Sequence, residues 1–302
     1  MQVKIFTLFS LLILLSCSDS KNSDSAKNQS NLNNRGGNSS AIIEDMPQNS
    51  SKFVSKFTDI ANELMSAKRV VSFDELQQQK LKNIEENSNV KVSREMPEKM
   101  TGNELYFYLK ERTLVVGSAF KGQYDSNYLT LATAFVINED GVIATNYHVI
   151  EVKKDMDKIA VFVSDKDGHV YPVTEVLSSS QANDLAILKI DTKGKKLKAL
   201  PFAEQELMGE DIYMMGHPFR NTYFMSKGIV ARKYISERDM EPRLGVTVDY
   251  GQGASGGPIV NMNGQVVAMV SSTYIQMANG NGPVQMVIKE AIPVSTFWKY
   301  VK

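Results

Sequence analysis

The pattern of apolar and polar positions changes character three times along the chain. Residues Ile5 to Leu15, "IFTLFSLLILL", form an apolar core without a charged residue behind a short basic start. Residues 18–52 carry no apolar period and are dominated by Ser, Asn, Asp and Lys, a composition that cannot bury a core. From residue 53 the spacing becomes helical: Phe53, Phe57, Ile60 and Leu64 share one face. Ser72–Glu75, "SFDE", has the spacing of a capping box before a second helix, and the helical segment is expected to run to about residue 100. Thr101 and Glu104 predict a cap for a short helix ending at Leu109.

Beyond that point the period drops to two. Asp140-Gly141, Asp167-Gly168 and Asn263-Gly264 each lie between strand-like runs, and such pairs permit the positive φ of tight hairpins. Further strands are predicted at Leu114–Phe120, Leu185–Ile190, Asp211–Met215, Phe224–Ile235, Leu244–Tyr250 and Val284–Ile292. No long helix interrupts them, so a closed all-β architecture of paired barrels is expected rather than a parallel sheet. The closing "PVSTFWKYVK" predicts a short terminal helix with Phe297 and Trp298 available for packing.

Charge changes this picture little. The 34 basic and 34 acidic residues cancel, which argues against a nucleic-acid partner or a polybasic membrane patch. Cysteine changes it more. Cys17 is the only one, so no intrachain disulfide can form. The apolar run before it would reach roughly 17 Å as a helix, against a hydrocarbon core of about 30 Å, so it reads as a secretion signal rather than a span. "LLSC", Leu14 to Cys17, resembles a bacterial lipobox. That resemblance implies cleavage before Cys17 and acylation of the new N-terminus, with stable anchoring by two or three chains. Residues 18–52 then act as a tether with a reach of roughly 30–35 Å. The expected location is the bacterial cell envelope, on its periplasmic or surface face.

Candidate chemistry gathers in the β-rich part. "GQGASGGP", Gly251 to Pro258, places Ser255 among glycines. A serine hydroxyl becomes a useful nucleophile only beside a base that is itself oriented. The chain holds three histidines. His169 sits in a hairpin turn, His217 lies in "GHPF", and His148 closes the strand "GVIATNYHV" at a hairpin mouth. Asp184 opens the apolar strand "DLAILKI", where a carboxylate drawn inward needs a donor such as an imidazole N–H. Neither a metal-ligand spacing nor a phosphate-binding glycine loop appears, and no cofactor is expected.

His148 in "ATNYHVI", Asp184 in "NDLAILKI" and Ser255 in "GASGGP" together resemble the trypsin-like serine proteases of bacterial HtrA/Deg type, in the order of the chymotrypsin class. "DIYMMGHPF" resembles the "G-N-P" strand of the second barrel, with His217 in place of the usual asparagine, and the resemblance covers about residues 103–302. It implies a chymotrypsin-like double β-barrel. It also implies a triad of His148, Asp184 and Ser255, with an oxyanion hole from the N–H groups of Gly253 and Ser255. Protein or peptide substrates follow from it. Ala254 departs from the asparagine or aspartate usual there, which bears on loop rigidity. Little chain remains after Ser255, and no PDZ domain is expected to follow it.

In trypsin-like enzymes a residue six before the serine lies at the floor of the primary specificity pocket, so the resemblance implies Asp249 there, with Ser271, Ser272 and Thr273 on the opposite wall. An Asp249 floor would favour Arg or Lys before the cut; an Asp249 at the surface would not. The leading expectation is thus a lipid-anchored serine endopeptidase, and the competing one a protease-fold lipoprotein that binds proteins as a chaperone with little turnover. Oligomeric state is not legible in the sequence.

Overall fold

The computed structural model describes residues 48–122, 127–151 and 157–302. The expected signal run, Cys17 and the expected tether as far as residue 47 lie outside the described residues.

Twelve strands close into two six-stranded antiparallel barrels. The first contains β1 (Thr113–Lys121), β2 (Asn127–Asn138), β3 (Val142–Thr145), β4 (Lys158–Ser164), β5 (Val170–Ser180) and β6 (Leu185–Ile190), in the closed order β1-β2-β3-β6-β5-β4. The second contains β7 (Asp211–Gly216), β8 (Phe224–Ile235), β9 (Pro242–Val246), β10 (Pro258–Val260), β11 (Val266–Met277) and β12 (Val284–Pro293), ordered β10-β11-β12-β9-β8-β7. The architecture is the chymotrypsin-like double barrel.

Three apolar clusters explain why several strands read as continuous rather than alternating. In β6, Ala186, Leu188 and Ile190 pack with Val116, Val136 and Val163 in one cluster. Leu185 and Ile187, on its other face, join a second cluster with Tyr213 and Met215 of β7 and with Leu105, Leu109 and Phe297. A strand buried on both faces has no polar side to show. Ile212 and Met214, the alternate residues of β7, face a third cluster with Leu244, Ile259 and Val270. The second cluster is therefore the seam in which the two barrels and the flanking helices share one core.

The hairpin turns fall where the Asp-Gly and Asn-Gly pairs predicted them. Gly141, Gly168 and Gly264 have φ of +84°, +82° and +75°. One predicted strand is shorter than expected: β9 ends at Val246, because Val248 and Tyr250 turn inward to the core of the second barrel. There the Tyr250 hydroxyl donates to the Glu290 carbonyl at 2.7 Å.

The segment before the barrels is helical only in part. α1 (Ser50–Ser66) begins ahead of Phe53 because the Asn49 side chain caps it, accepting from Lys52 N–H at 2.9 Å. Ser72 caps α2 (Phe73–Lys82) through Glu75 N–H. Residues 86–100 are not helical. Their backbone instead runs along the barrels, with Val92 N–H donating to Lys302 O, Lys302 N–H to Val90 O and Met100 N–H to Met262 O. Asn87, Asn89 and Pro97 supply turn-forming side chains and a missing donor where a helix would need the opposite. α3 (Gly102–Lys110) carries the predicted reciprocal capping box of Thr101 and Glu104, and α4 (Val294–Phe297) is the short terminal helix. Among the described residues, no helix is long and apolar enough to cross a membrane.

Candidate active site

His148 lies in a single 3-10 turn, Tyr147–Ile150, directly after β3. Asp184 precedes β6, the strand paired to β3, in a tight turn where its N–H donates to Gln181 O. Its φ of +55° is a left-handed conformation that aspartate tolerates better than most side chains. That turn aims the carboxylate at the 3-10 turn. Asp184 Oδ1 accepts from the His148 backbone N–H at 3.1 Å and lies 2.9 Å from His148 Nδ1; Oδ2 lies 3.1 Å from the same ring nitrogen. The Asn146 side chain holds the Asp184 carbonyl at 3.0 Å. With Nδ1–H donating to the carboxylate, Nε2 is left as the basic nitrogen. The imidazole is 41% exposed and the carboxylate 17%, so the base faces solvent while its partner does not.

The second barrel supplies a third contact to this carboxylate. The Ser271 hydroxyl of β11 donates to Asp184 Oδ2 at 2.8 Å. The neighbouring Ser272 hydroxyl turns the other way and donates to Glu290 Oε1 at 2.8 Å. The four residues expected to line one specificity pocket therefore divide. Ser271 and Ser272 border a cavity of about 370 Å³ shared with His148 and Asp184. Asp249 and Thr273 border a separate cavity of about 510 Å³ beside Gly251 and Gln252. A break in the pairing of β11 with β12 between Val270 and Ser272 interrupts the pleat alternation here, so Ser271 and Ser272 border one cavity and Thr273 the other. Asp249 is 82% exposed and pairs with Lys289 at 3.1 Å, so it is a rim residue with a cation beside it rather than a buried floor.

The loop holding Ser255 is pinned from both barrels. Thr133 of β2 donates its N–H to Ser255 O and its hydroxyl to Gly253 O, both at 2.8 Å. Gly256 N–H donates to Val270 O, next to Ser271. Gly256 has φ +82°, and a Cβ there would stand 2.2 Å from Thr133 O and 2.4 Å from Thr145 Oγ1. Only glycine lets the serine loop approach β2 and β3 this closely. The Gln252 carbonyl is turned toward Phe219 N–H at 2.7 Å. In a planar trans peptide this turns the Gly253 N–H to the opposite side. Among the described residues, neither Gly253 N–H nor Ser255 N–H has a backbone acceptor. Nor, among the described residues, is Ser255 Oγ hydrogen-bonded to His148, which bonds to Asp184 instead. Such bonds commonly close only around substrate.

The remaining histidines are occupied elsewhere. His169 Nδ1 lies 3.0 Å from Asp165 Oδ2, a second His–Asp pair in the β4–β5 hairpin. Burial alone would raise the Asp165 carboxyl, but hydrogen bonds from His169 N–H, Tyr171 and Lys195 together hold it below its ordinary value. Asp165, Asp167 and His169 are close enough to suggest a cation site, yet the Lys195 ammonium already stands 3.2 Å from Asp165 Oδ2. His217 is fully buried. Its Nδ1 accepts from Tyr223 N–H at 3.0 Å, and burial pushes its pKa down to about 3, with the Leu114 backbone offsetting only part of this.

Sequence reasoning missed Thr133, Thr145 and Arg243. The threonines had a signal, being polar at inward positions of apolar strands. Arg243 had none: it lies at 0% exposure, donates to Ala182 O in the turn before Asp184 at 2.7 Å, and pairs with Asp239 at 2.7 Å.

Comparison with known proteins agrees with the fold. Residues 132–269 match the trypsin-like peptidase domain. Over 176 residues, 58% of this chain, it is 30% identical to a probable periplasmic serine endoprotease, DegP-like, of Pseudomonas putida strain W619, covering 34% of that protein. A protein of the same description from Pseudomonas savastanoi pv. phaseolicola is 30% identical over 190 residues, 61% of this chain and 37% of its own length. One from Hahella chejuensis is 26% identical over 180 residues, 59% of this chain and 36% of its own length. The chain spans little more than a third of each of these relatives. With two closed barrels and this match across them, the chain carries a trypsin-like peptidase domain, homologous over that domain to the DegP-like serine endoproteases.

Proposed function

We propose that the protein is a lipid-anchored serine endopeptidase. The observation that carries the reading is the shared carboxylate: Asp184 receives His148 from the first barrel and Ser271 from the second, beside a glycine loop clamped between the barrels. In this reading Ser255 Oγ attacks the peptide carbonyl while His148 Nε2 takes its proton. The tetrahedral oxyanion is met by the Gly253 and Ser255 N–H groups, which are free of backbone acceptors among the described residues. His148 then gives its proton to the leaving amine, and the Ser255 ester is hydrolysed by water with the same base. Asp184 fixes the imidazole tautomer and stabilises the transient imidazolium; Ser271 and the His148 N–H keep Asp184 in place.

The curated relatives are described as periplasmic endoproteases, which supports export and protein or peptide substrates for this chain. The Leu14–Cys17 lipobox supports an anchor at Cys17. The test is covalent labelling by a fluorophosphonate together with casein digestion. Wild type should label at Ser255 and digest casein, and Ser255→Ala should do neither. An unlabelled wild type that still prevents aggregation of unfolded protein would replace this reading with the chaperone one.

A further inference from the structure

Beside the serine loop lies a cavity of about 510 Å³ whose lining includes Phe219, Phe224, Thr273, Asp249 and Lys289. Gly251 and Gln252, which lead in the chain to Gly253 and Ser255, border it. Its two charges are held very differently. The Lys289 side chain is 15% exposed, rises from β12 opposite Thr273, and donates to the Tyr250 carbonyl. Its ammonium also lies 4.9 Å from the Tyr250 ring centroid. Asp249 is 82% exposed and has Lys289 as its partner at 3.1 Å. The cation is built into the wall, and the carboxylate leans on it from solvent.

We infer that this cavity receives an acidic side chain, Glu or Asp, from the residue before the scissile bond, with Lys289 as the group that selects it; this rests on the endopeptidase reading above. An incoming carboxylate takes the place of Asp249 on the ammonium. Asp249 swings into water at little cost, because an exposed ion pair contributes only about 0–1 kcal/mol. The bond from Lys289 to the Tyr250 carbonyl stays. The methylenes of the substrate side chain lie against Phe219 and Phe224, which are exposed to 71% and 43%. A lysine or arginine would meet Lys289 and be repelled. A valine or leucine would leave the Asp249–Lys289 pair as it is and would gain no polar contact of its own from the ammonium, while drying a pair that water otherwise solvates. Phe219 is held at the mouth by a left-handed backbone, φ +50°, with its ring against the face of Gly251.

The experiment uses fluorogenic peptides that differ only in the residue before the cut (Glu, Asp, Val, Lys), with mapping of casein cleavage sites by mass spectrometry. Fluorophosphonate labelling is run on the same samples. The expected result is a kcat/KM for Glu or Asp at least tenfold above Val and Lys. Lys289→Met should lower the Glu value by about 30-fold or more, the usual effect of removing one member of a half-buried charge pair. Labelling by the small fluorophosphonate, which needs no side-chain pocket, should persist in that variant and show that it is folded. Lys289→Arg should keep the acidic preference, and Asp249→Asn should raise the Glu rate up to about fivefold by removing the competing carboxylate. Labelled enzyme that cuts after Val or Lys, or that loses all substrates equally in Lys289→Met, would overturn the inference and leave the endopeptidase reading standing; labelled enzyme that cleaves neither peptides nor casein would overturn both. Failure of wild type to label would remove both.

Discussion

His217 gives the protein a pH dependence that can be worked out from its surroundings. The imidazole is fully buried in the turn after β7 and accepts from Tyr223 N–H through Nδ1. Accepting at Nδ1 requires the lone pair there, so the folded protein holds the neutral ring. Its pKa is lowered to about 3, while in the unfolded chain it titrates near 6.5. Between these values the unfolded state binds one more proton than the folded state. Stability is therefore fully present above pH 6.5 and declines as pH falls toward 3, by about 1.4 kcal/mol per pH unit. His217→Asn removes the titration and keeps a polar side chain of the kind usual in HtrA/Deg enzymes. Urea unfolding of both proteins at several pH values isolates the effect, because His148, His169 and the carboxylates are common to the two. From pH 7 to 4.5 the wild type should lose about 2–3 kcal/mol relative to the variant. A difference between the two that stays constant over that range would mean that His217 is hydrated or protonated in the fold, and the reasoning would fail.

Four further outcomes are expected. His148→Ala and Asp184→Asn should each reduce casein cleavage by several orders of magnitude with little change in melting temperature, since both side chains act on the reaction rather than the core. Ser271→Ala should lower kcat while leaving KM nearly unchanged, because it frees Asp184 Oδ2 without touching the 510 Å³ cavity; an unaltered kcat would assign Asp184 positioning to His148 N–H alone. Gly256→Ala should be more damaging to folding than an ordinary core change, given the 2.2 Å approach to Thr133 O, and circular dichroism on melting would reveal a variant unexpectedly at wild-type stability. Cys17→Ser should release the protein from membranes, and intact mass of membrane-extracted protein showing an unmodified Cys17 would dispose of the anchor.

The barrels were legible because turn chemistry and strand period are local. Asp-Gly and Asn-Gly need no tertiary partner to be read, and β6 and β8 run from Leu185 to Ile190 and from Phe224 to Ile235 as expected. Residues 86–100 were not legible as extended chain, since what holds them is backbone bonding to Tyr300, Lys302 and Met262, far away in sequence. The same distinction divides the candidate site. His148, Asp184 and Ser255 stand out through the words around them, but which way Ser271 and Ser272 point depends on the break in β11–β12 pairing between Val270 and Ser272. Lys289 was invisible for a different reason: nothing near "VIKEAIP" says that β12 pairs with Thr273 and brings an ammonium beside Asp249.

Two places where the chain departs from the HtrA/Deg pattern, Ala254 and His217, meet at the serine loop. Ala254 replaces a polar residue, and it is buried in the second barrel at 0% exposure. A Cβ on Gly216 would stand 3.1 Å from its methyl, so the site has little room for a larger side chain. The backbone of His217, one residue on, also closes on the loop: a Cβ on Gly253 would stand 2.6 Å from the His217 carbonyl. The loop does not need a side-chain brace at position 254, because backbone atoms carry its shape. Ala254 N–H donates to Gly251 O, Gly257 N–H to Ala254 O, Phe219 N–H to Gln252 O, and Thr133 grips Gly253 and Ser255. Rigidity that rests on main-chain bonds tolerates alanine beside the serine and places the burden on Thr133. Thr133→Val, which keeps shape and the N–H but loses the hydroxyl to Gly253, should thus impair turnover more than Ala254→Ser does, while leaving the barrels folded.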